Sequence, residues 1–172
     1  MANFSSQGPV PGNLLVKPDV VAPGAQVLSA QPAWACGTPP CWAFFNGTSM
    51  ATPHLAGIAA LVRQAHPDWS AAQVRSAVVN TATTGVLMHP TTGEITNDGL
   101  IVGAGLADAV NAIGAKVTLD PVSLSYGSVP AGSGKSLSKS ITLTNTSGST
   151  KSFTVSVADD AADGVTYSVS ST

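Results

Sequence analysis

The sequence predicts an α/β unit over residues 1–114, followed by an all-β unit over residues 116–172. Short apolar runs bounded by proline and glycine indicate strands in the first unit, and a helical pattern that begins near Ser49 indicates its longest helix. At Gly114 the composition changes, because the chain becomes dense in serine and threonine and its apolar residues alternate with polar ones. These observations predict two units of different secondary-structure class.

The first predicted elements are short strands. Residues 17–24 have an apolar centre bounded by prolines, which predicts a strand that ends in a turn, and residues 27–30 have the pattern of a second strand. Residues 31–45 contain three prolines and are expected to form a loop. We interpret Trp34 and Trp42 in this loop as residues that cover the core, with a place on the rim of a substrate cleft as the alternative.

The same loop contains both cysteines of the chain, Cys36 and Cys41. Two ligands do not make a metal site, and no histidine lies at the usual short spacing. A small-loop disulfide is the preferred interpretation, with two free thiols as the alternative. No catalytic role is assigned to Cys41, since no base is paired with it in the sequence.

The central helix is predicted over residues 49–66. Apolar residues recur there at spacings of three and four, which places them on one face: Leu55, Ile58, Leu61, Val62 and Ala65. Small residues fill much of the remainder, so we expect the helix to be buried nearly all round. Pro53 is compatible only with the first turn, where its missing N–H breaks no helical hydrogen bond.

The helix begins at a serine, which has a chemical consequence. At a helix N-terminus the hydroxyl of Ser49 lies among unpaired N–H groups at the positive end of the helix dipole. Those donors can hold an oxyanion that develops beside the hydroxyl, and Gly47 lets a substrate approach the backbone closely. A serine that only caps the helix, or an anion site, is the alternative.

The string from Gly47 to Gly57 reads Gly-Thr-Ser-Met-Ala-Thr-Pro-His-Leu-Ala-Gly and resembles the nucleophile segment of the subtilisin-like serine proteases nearly letter for letter. The resemblance implies that Ser49 attacks the scissile carbonyl and that its backbone N–H contributes to the oxyanion hole. It gives Thr48 a supporting role at the same site. His54 corresponds to a histidine that is not the catalytic base, and we interpret it as structural.

Two upstream strings resemble the same family: a Phe-Ser-Ser-x-Gly-Pro turn at residues 4–9 and a Lys-Pro-Asp-Val-x-Ala-Pro-Gly strand at residues 17–24. In that family the catalytic aspartate belongs to a different motif far upstream. Asp19 is therefore interpreted as structural, with a weak cation site near it as a further possibility.

Downstream of Pro67, the string Ser-Ala-Ala-Gln at residues 70–73 is a capping box that opens a second helix, with Trp69 and Val74 placed as a hydrophobic staple. Residues 85–99 are expected to form a hairpin or surface loop, and His89 within them is not favoured as a base. Residues 103–112 predict another short helix, which resembles the closing helix of the protease domain. The resemblance implies that residues 1–114 are the C-terminal part of a subtilisin-like protease domain built on a parallel sheet.

The segment after Gly114 contains four alternating runs, at residues 117–119, 124–126, 140–145 and 152–157. The pattern resembles the start of a fibronectin type III-like β-sandwich. Seven strands make a usual sandwich, so we expect only part of one.

Composition excludes several classes of function. Charged residues make up 9% of the chain and lysine and arginine are scattered, which argues against nucleic acid as a partner. No apolar run approaches the roughly 20 residues that cross a bilayer, and the first residues lack the features of a signal peptide. The low charge is typical of exported proteins, so we expect an extracellular parent protein.

A serine nucleophile needs a base, and the base needs an orienting acid. In the family these come from a His-Gly-Thr-His-like motif and an Asp-(Ser/Thr/His)-Gly motif, and neither string occurs here. We expect a fragment of a serine endopeptidase that hydrolyses proteins or peptides through Ser49 and takes its Asp and His from an upstream part of the same protease. Alone it should be nearly inactive. No cofactor is expected to be required, although Ca²⁺ in the full-length parent stays open. The alternative is a non-catalytic binding or adhesion piece in which the β unit is functional.

Overall fold

The computed structural model describes residues 1–130, 132–158 and 164–170. The elements follow in the order β1 (Val27–Ala30), α1 (Ala33–Cys36), β2 (Trp42–Phe45), α2 (Thr48–Ala65), α3 (Ala71–Asn80), α4 (Ala109–Ile113), β3 (Val117–Asp120) and β4 (Thr142–Asn145). Strands β1 and β2 pair antiparallel, and so do β3 and β4. This mixed content of helices and strands agrees with the predicted α/β class.

The apolar core lies where α2, α3 and α4 meet. Its buried members are Val62, Val74, Ala77, Val78, Ala112 and Ala115. Helix α3 contributes residues at spacings of three and four, because that spacing keeps side chains on one helix face. Burying a valine side chain of this kind contributes roughly 1.5–3 kcal/mol relative to exposing it.

Helix α2 occupies the predicted range, but its predicted burial is wrong for this chain. Of its 18 residues only Val62 is buried. The reason is that α3 and α4 pack on the side that contains Val62, while most other side chains of α2 are exposed or partly exposed. Among the described residues, no helix is long and apolar enough to cross a membrane.

The second helix has the predicted N-terminus. Ser70 Oγ accepts a hydrogen bond from the Gln73 N–H at 3.3 Å, and Gln73 Oε1 accepts one from the Ser70 N–H at 2.8 Å. Trp69 packs against the core cluster that contains Val74. The capping box is therefore confirmed.

The short helix predicted over residues 103–112 begins only at Ala109, with Asp108 as its N-cap. Gly103 has φ 58°, and a Cβ there would lie 2.4 Å from the Pro18 carbonyl oxygen, so this stretch bends closely around the upstream segment. Leu106 pairs with Val21 in a parallel bridge. Residues 17–24 are predicted to form a strand, but among them only Val21 takes part in β-pairing, through this bridge. The predicted parallel sheet is therefore not confirmed.

Residues 31–45 are more ordered than the predicted loop. They include α1 and β2, because residues 42–45 have N–H and carbonyl groups that pair with β1. Trp34 and Trp42 are 86% and 60% exposed, so the prediction that they cover the core is wrong for the described residues. Residues 85–99 form the predicted hairpin, in which Met88 pairs with Ile95.

After Gly114, two of the four predicted strand runs form β3 and β4. Residues 124–126 and 152–157 lie outside strands. The predicted partial sandwich is therefore not confirmed, since these residues contribute one two-stranded sheet. Strand β3 packs on α3, and its Thr118 is buried.

Candidate active site

Ser49 is the second residue of α2, and its side chain is exposed. Gly47 is the N-cap residue, and its carbonyl accepts the Met50 N–H at 3.0 Å. The N–H groups of Thr48 and Ser49 belong to the helix turn that has no helical acceptor. With the helix dipole, these donors can stabilise a negative oxygen that develops beside Ser49 Oγ.

The turn before Ser49 is fixed by two bonds to an upstream segment. The Gly47 N–H donates to the Gly24 carbonyl at 2.7 Å, and Asn46 Oδ1 accepts the Gln26 N–H at 2.7 Å. A Cβ on Gly24 would lie 2.8 Å from the Gly47 carbonyl oxygen, so only glycine permits this approach. Sequence reasoning missed Gly24 and Gln26 as parts of the site, although Pro23-Gly24 marks a turn there.

Thr48 has an exposed side chain, and its carbonyl accepts the Thr52 hydroxyl at 3.0 Å. This bond links the first turn of α2 to the next one. The supporting role of Thr48 in chemistry stays a prediction.

His54 lies five residues after Ser49 on the same helix. Its Nδ1 is 2.8 Å from the Met50 carbonyl oxygen, one helical turn earlier. Among the described residues no hydrogen bond joins His54 to Ser49. This contact within the helix is the kind that the structural interpretation of His54 predicts.

The side chains of the other two histidines make their hydrogen bonds to groups other than Ser49. His66 is the C-cap residue of α2. Its Nε2 is 2.8 Å from the Ile113 carbonyl oxygen, and its ring stacks on Trp69 with centroids 3.9 Å apart. His89 Nδ1 accepts two backbone N–H groups of its own turn. In the part of the chain that the structure describes, neither imidazole ring is hydrogen-bonded to a carboxylate or to Ser49.

Asp19 is part of an ion-pair group. Its Oδ2 accepts from Lys17 Nζ at 2.6 Å and from Arg75 Nη2 at 2.9 Å. Burial acts to raise the pKa of Asp19, but the hydrogen bonds and charges of Lys17 and Arg75 outweigh it and hold that pKa below its ordinary value. A carboxylate already neutralised by two cations is a poor cation ligand, and residues 1–130, 132–158 and 164–170 hold no metal-binding cluster of three or more His, Cys, Asp or Glu.

Cys36 and Cys41 form a disulfide, with their Cα atoms 5.9 Å apart. The bond links α1 to the residue before β2, so the preferred interpretation of the cysteine pair is confirmed. It closes the tip of the β1–β2 ribbon, whose second strand ends four residues before Ser49.

A cavity of about 440 Å³ lies between this ribbon and the first turns of α2. Val27 and Phe45 line it from the ribbon, and Met50, Pro53 and His54 line it from the helix. No aspartate, glutamate, lysine or arginine occurs in the sequence between Asp19 and Arg63. All residues that line the cavity belong to this stretch, so its lining contains no aspartate, glutamate, lysine or arginine.

The profile of the subtilase family matches residues 1–105. The minor extracellular protease Vpr of Bacillus subtilis is 38% identical over 156 residues, which cover 90% of this chain and 19% of the relative. The subtilisin-like protease SBT3.7 of Arabidopsis thaliana is 47% identical over 83 residues, covering 48% of this chain and 11% of the relative.

The subtilisin-like protease SBT1.9 of the same plant is 40% identical over 125 residues, which cover 64% of this chain and 17% of the relative. The chain thus spans less than a fifth of the length of these relatives. The profile match and the identity to Vpr show that the chain belongs to the subtilase family of serine proteases.

Proposed function

We propose that this chain is part of a serine endopeptidase in which Ser49 is the nucleophile. Ser49 Oγ attacks the scissile carbonyl, the peptide nitrogen leaves with a proton, and water then hydrolyses the acyl-enzyme. The observation that carries the proposal is the exposed hydroxyl of Ser49 in the first turn of an 18-residue helix. The N–H groups of that turn have no helical acceptor, so they can stabilise the negative charge that develops on the substrate oxygen.

The base and its acid come, in this proposal, from another part of the same protease. The imidazole rings of the three histidines make their hydrogen bonds elsewhere, and none of them is bonded to a carboxylate among the described residues. Without a base, only residual acceleration from binding and the oxyanion hole remains, on the order of 10³–10⁴ over water in complete sites that lack triad members. This chain alone should fall below that range.

The proposed substrates are proteins or peptides with uncharged side chains near the scissile bond. The cavity of about 440 Å³ beside α2 has the size to accept such a side chain, and apolar residues line most of it. Acyl transfer through serine uses protein groups alone, so no cofactor is proposed for the reaction. A structural Ca²⁺ is a proposal for the full-length parent only, with ligands other than Asp19.

We also propose that the parent protein is extracellular. The Bacillus relative is named an extracellular protease, and the disulfide between Cys36 and Cys41 is of the kind that persists in oxidising compartments. The binding or adhesion alternative would instead place function in the β unit and leave Ser49 without chemistry.

The experiment compares the full-length parent with its Ser49→Ala and Thr48→Ala variants on a protein substrate. Loss of the nucleophile should lower kcat by about 10⁶, as removal of a triad serine does. Thr48→Ala should lower kcat less, because it removes no reacting atom. Full activity of Ser49→Ala would overturn the proposal and favour the binding role.

A further inference from the structure

The Asp19 carboxylate joins three separate segments of the chain. Lys17 belongs to its own segment, Arg75 lies on α3, and Ser123 Oγ donates to Asp19 Oδ1 at 3.4 Å from the residues after β3. The Asp19 side chain is only 19% exposed. This carboxylate therefore connects parts of the sequence that are 56 and 104 residues away from it.

Two further hydrogen bonds join residues 117–126 to residues of the predicted α/β unit (residues 1–114). The Leu119 N–H donates to Ser76 Oγ at 2.7 Å, and Ser76 is 1% exposed. Ser125 Oγ donates to the Leu14 carbonyl at 2.8 Å. The segment is thus held to α3 on one side and to the N-terminal residues on the other.

The backbone of residues 19–24 connects Asp19 to the turn formed by residues 46–49, which contains Ser49. The Ala104 N–H donates to the Asp19 carbonyl, and the Val21 N–H donates to the Gly105 carbonyl at 3.0 Å, which fixes the start of residues 19–24. At the other end, Gly24 accepts the Gly47 N–H. Residues 19–24 therefore connect Asp19 to the turn that contains Ser49.

We propose that residues 117–126 stabilise the turn formed by residues 46–49, and that Asp19 is the positioning residue through which they do so. The inference rests on the proposed function, because it concerns the placement of Ser49. When the carboxylate is neutral, Lys17 and Arg75 lose their shared partner, and the segment 19–24 loses its side-chain tie to α3. The charged groups that contact Asp19 are Lys17 and Arg75. Asp19 also lines a second cavity, of about 850 Å³ between α2 and α3, together with Arg63 and Asp68.

The test measures amide exchange of the Gly47 N–H by NMR in the full chain, as protection factors from pH 6 downwards. The pKa of Asp19 is lowered, so its tie is intact at neutral pH and is lost as pH falls from about 4 through that pKa. Wild-type protection should fall about tenfold over this range, since charge-assisted hydrogen bonds are lost. The Asp19→Asn variant should show the low value at every pH.

The Asp19→Glu variant should restore part of the protection and its pH dependence. Asp68→Asn is the matched control, because Asp68 is exposed and forms no ion pair among the described residues; it should keep the wild-type profile. If Asp19→Asn does not fold, the milder Ser123→Ala variant should still lower Gly47 protection about threefold.

Gly47 protection that is unchanged in Asp19→Asn, or in Ser123→Ala where only that variant folds, would overturn the proposal. Amide exchange does not depend on catalytic activity, so a catalytically inactive chain can be used for this test. Failure of Ser49 to react in the complete parent would instead overturn the proposed function and leave the exchange measurement valid.

Discussion

The backbones of Gly24 and Gly47 are in direct contact: the Gly47 N–H donates to the Gly24 carbonyl at 2.7 Å, and a Cβ on Gly24 would lie 2.8 Å from the Gly47 carbonyl oxygen. Because Gly47 is the N-cap of α2, this contact fixes where the helix begins. The placement of Ser49 therefore depends on a residue 25 positions earlier in the sequence.

Replacing Gly24 with alanine should force the backbones of residues 24 and 47 apart. The methyl group would meet the Gly47 carbonyl and the Ala51 side chain, so the turn must shift. We expect the free energy of unfolding to fall by about 1–3 kcal/mol, measured by urea titration, with faster exchange at Gly47. Gly57→Ala is the matched control: a Cβ there has open space, and alanine should stabilise this helix by about 1 kcal/mol. Equal effects of the two changes would contradict this account.

Loss of the capping box should weaken α3. Ser70→Ala removes the acceptor for the Gln73 N–H, and we expect a cost of about 0.5–2 kcal/mol in thermal or urea unfolding. Adding Gln73→Ala should cost less than the sum of the single changes, because the two side chains cap the same turn. Ser140→Ala, at an exposed serine, should leave stability unchanged. Strict additivity at residues 70 and 73 would argue against a reciprocal box.

The disulfide should protect both thiols from alkylation in oxidised material. Mass spectrometry after non-reducing alkylation should find Cys36 and Cys41 unmodified, and prior reduction should label both. The bond closes a short loop with a sequence separation of 5, so we expect the Cys36→Ser and Cys41→Ser double variant to lose about 2 kcal/mol. Full labelling without reductant would contradict the pairing.

The chain by itself should self-associate and be marginally stable. Leu28, Trp42 and Phe44 are 56%, 60% and 63% exposed, and strand register places them on one face of the β1–β2 ribbon. We expect concentration-dependent association in analytical ultracentrifugation, which a Trp42→Ser and Phe44→Ser double variant should reduce. A monomer with a sharp cooperative melt would show that the chain is a more complete unit than we infer.

Local sequence signals predicted much of the fold. The 3.6-residue period after Gly47 and the Ser70–Gln73 box each depend on neighbouring residues, and both helices begin within one residue of the predicted position. Burial of α2 could not be predicted, because it depends on which distant elements cover the helix. The start of α4 at Ala109 could not be predicted for the same reason. Leu106 pairs with Val21 and Thr83, which are distant in sequence, so this part of the chain is not helical.

Residues of the candidate site that are contiguous in sequence could be predicted, whereas contacts between distant residues could not. The string around Ser49 predicts the proposed nucleophile from contiguous residues. Gly24 contacts Gly47 and Asp19 contacts Arg75, and no local sequence pattern predicts contacts between residues so far apart in the chain.

The most direct test of the central claim is labelling of the purified chain with a fluorophosphonate probe, beside a Ser49→Ala control. We predict almost no labelling of the chain alone, because its serine has no base to accept the hydroxyl proton among the described residues. Labelling should appear on mixing with an upstream segment that contains the Asp and His motifs, and should be absent with Ser49→Ala. Strong labelling of the chain alone that vanishes in Ser49→Ala would mean that the base lies within these 172 residues, which contradicts the account.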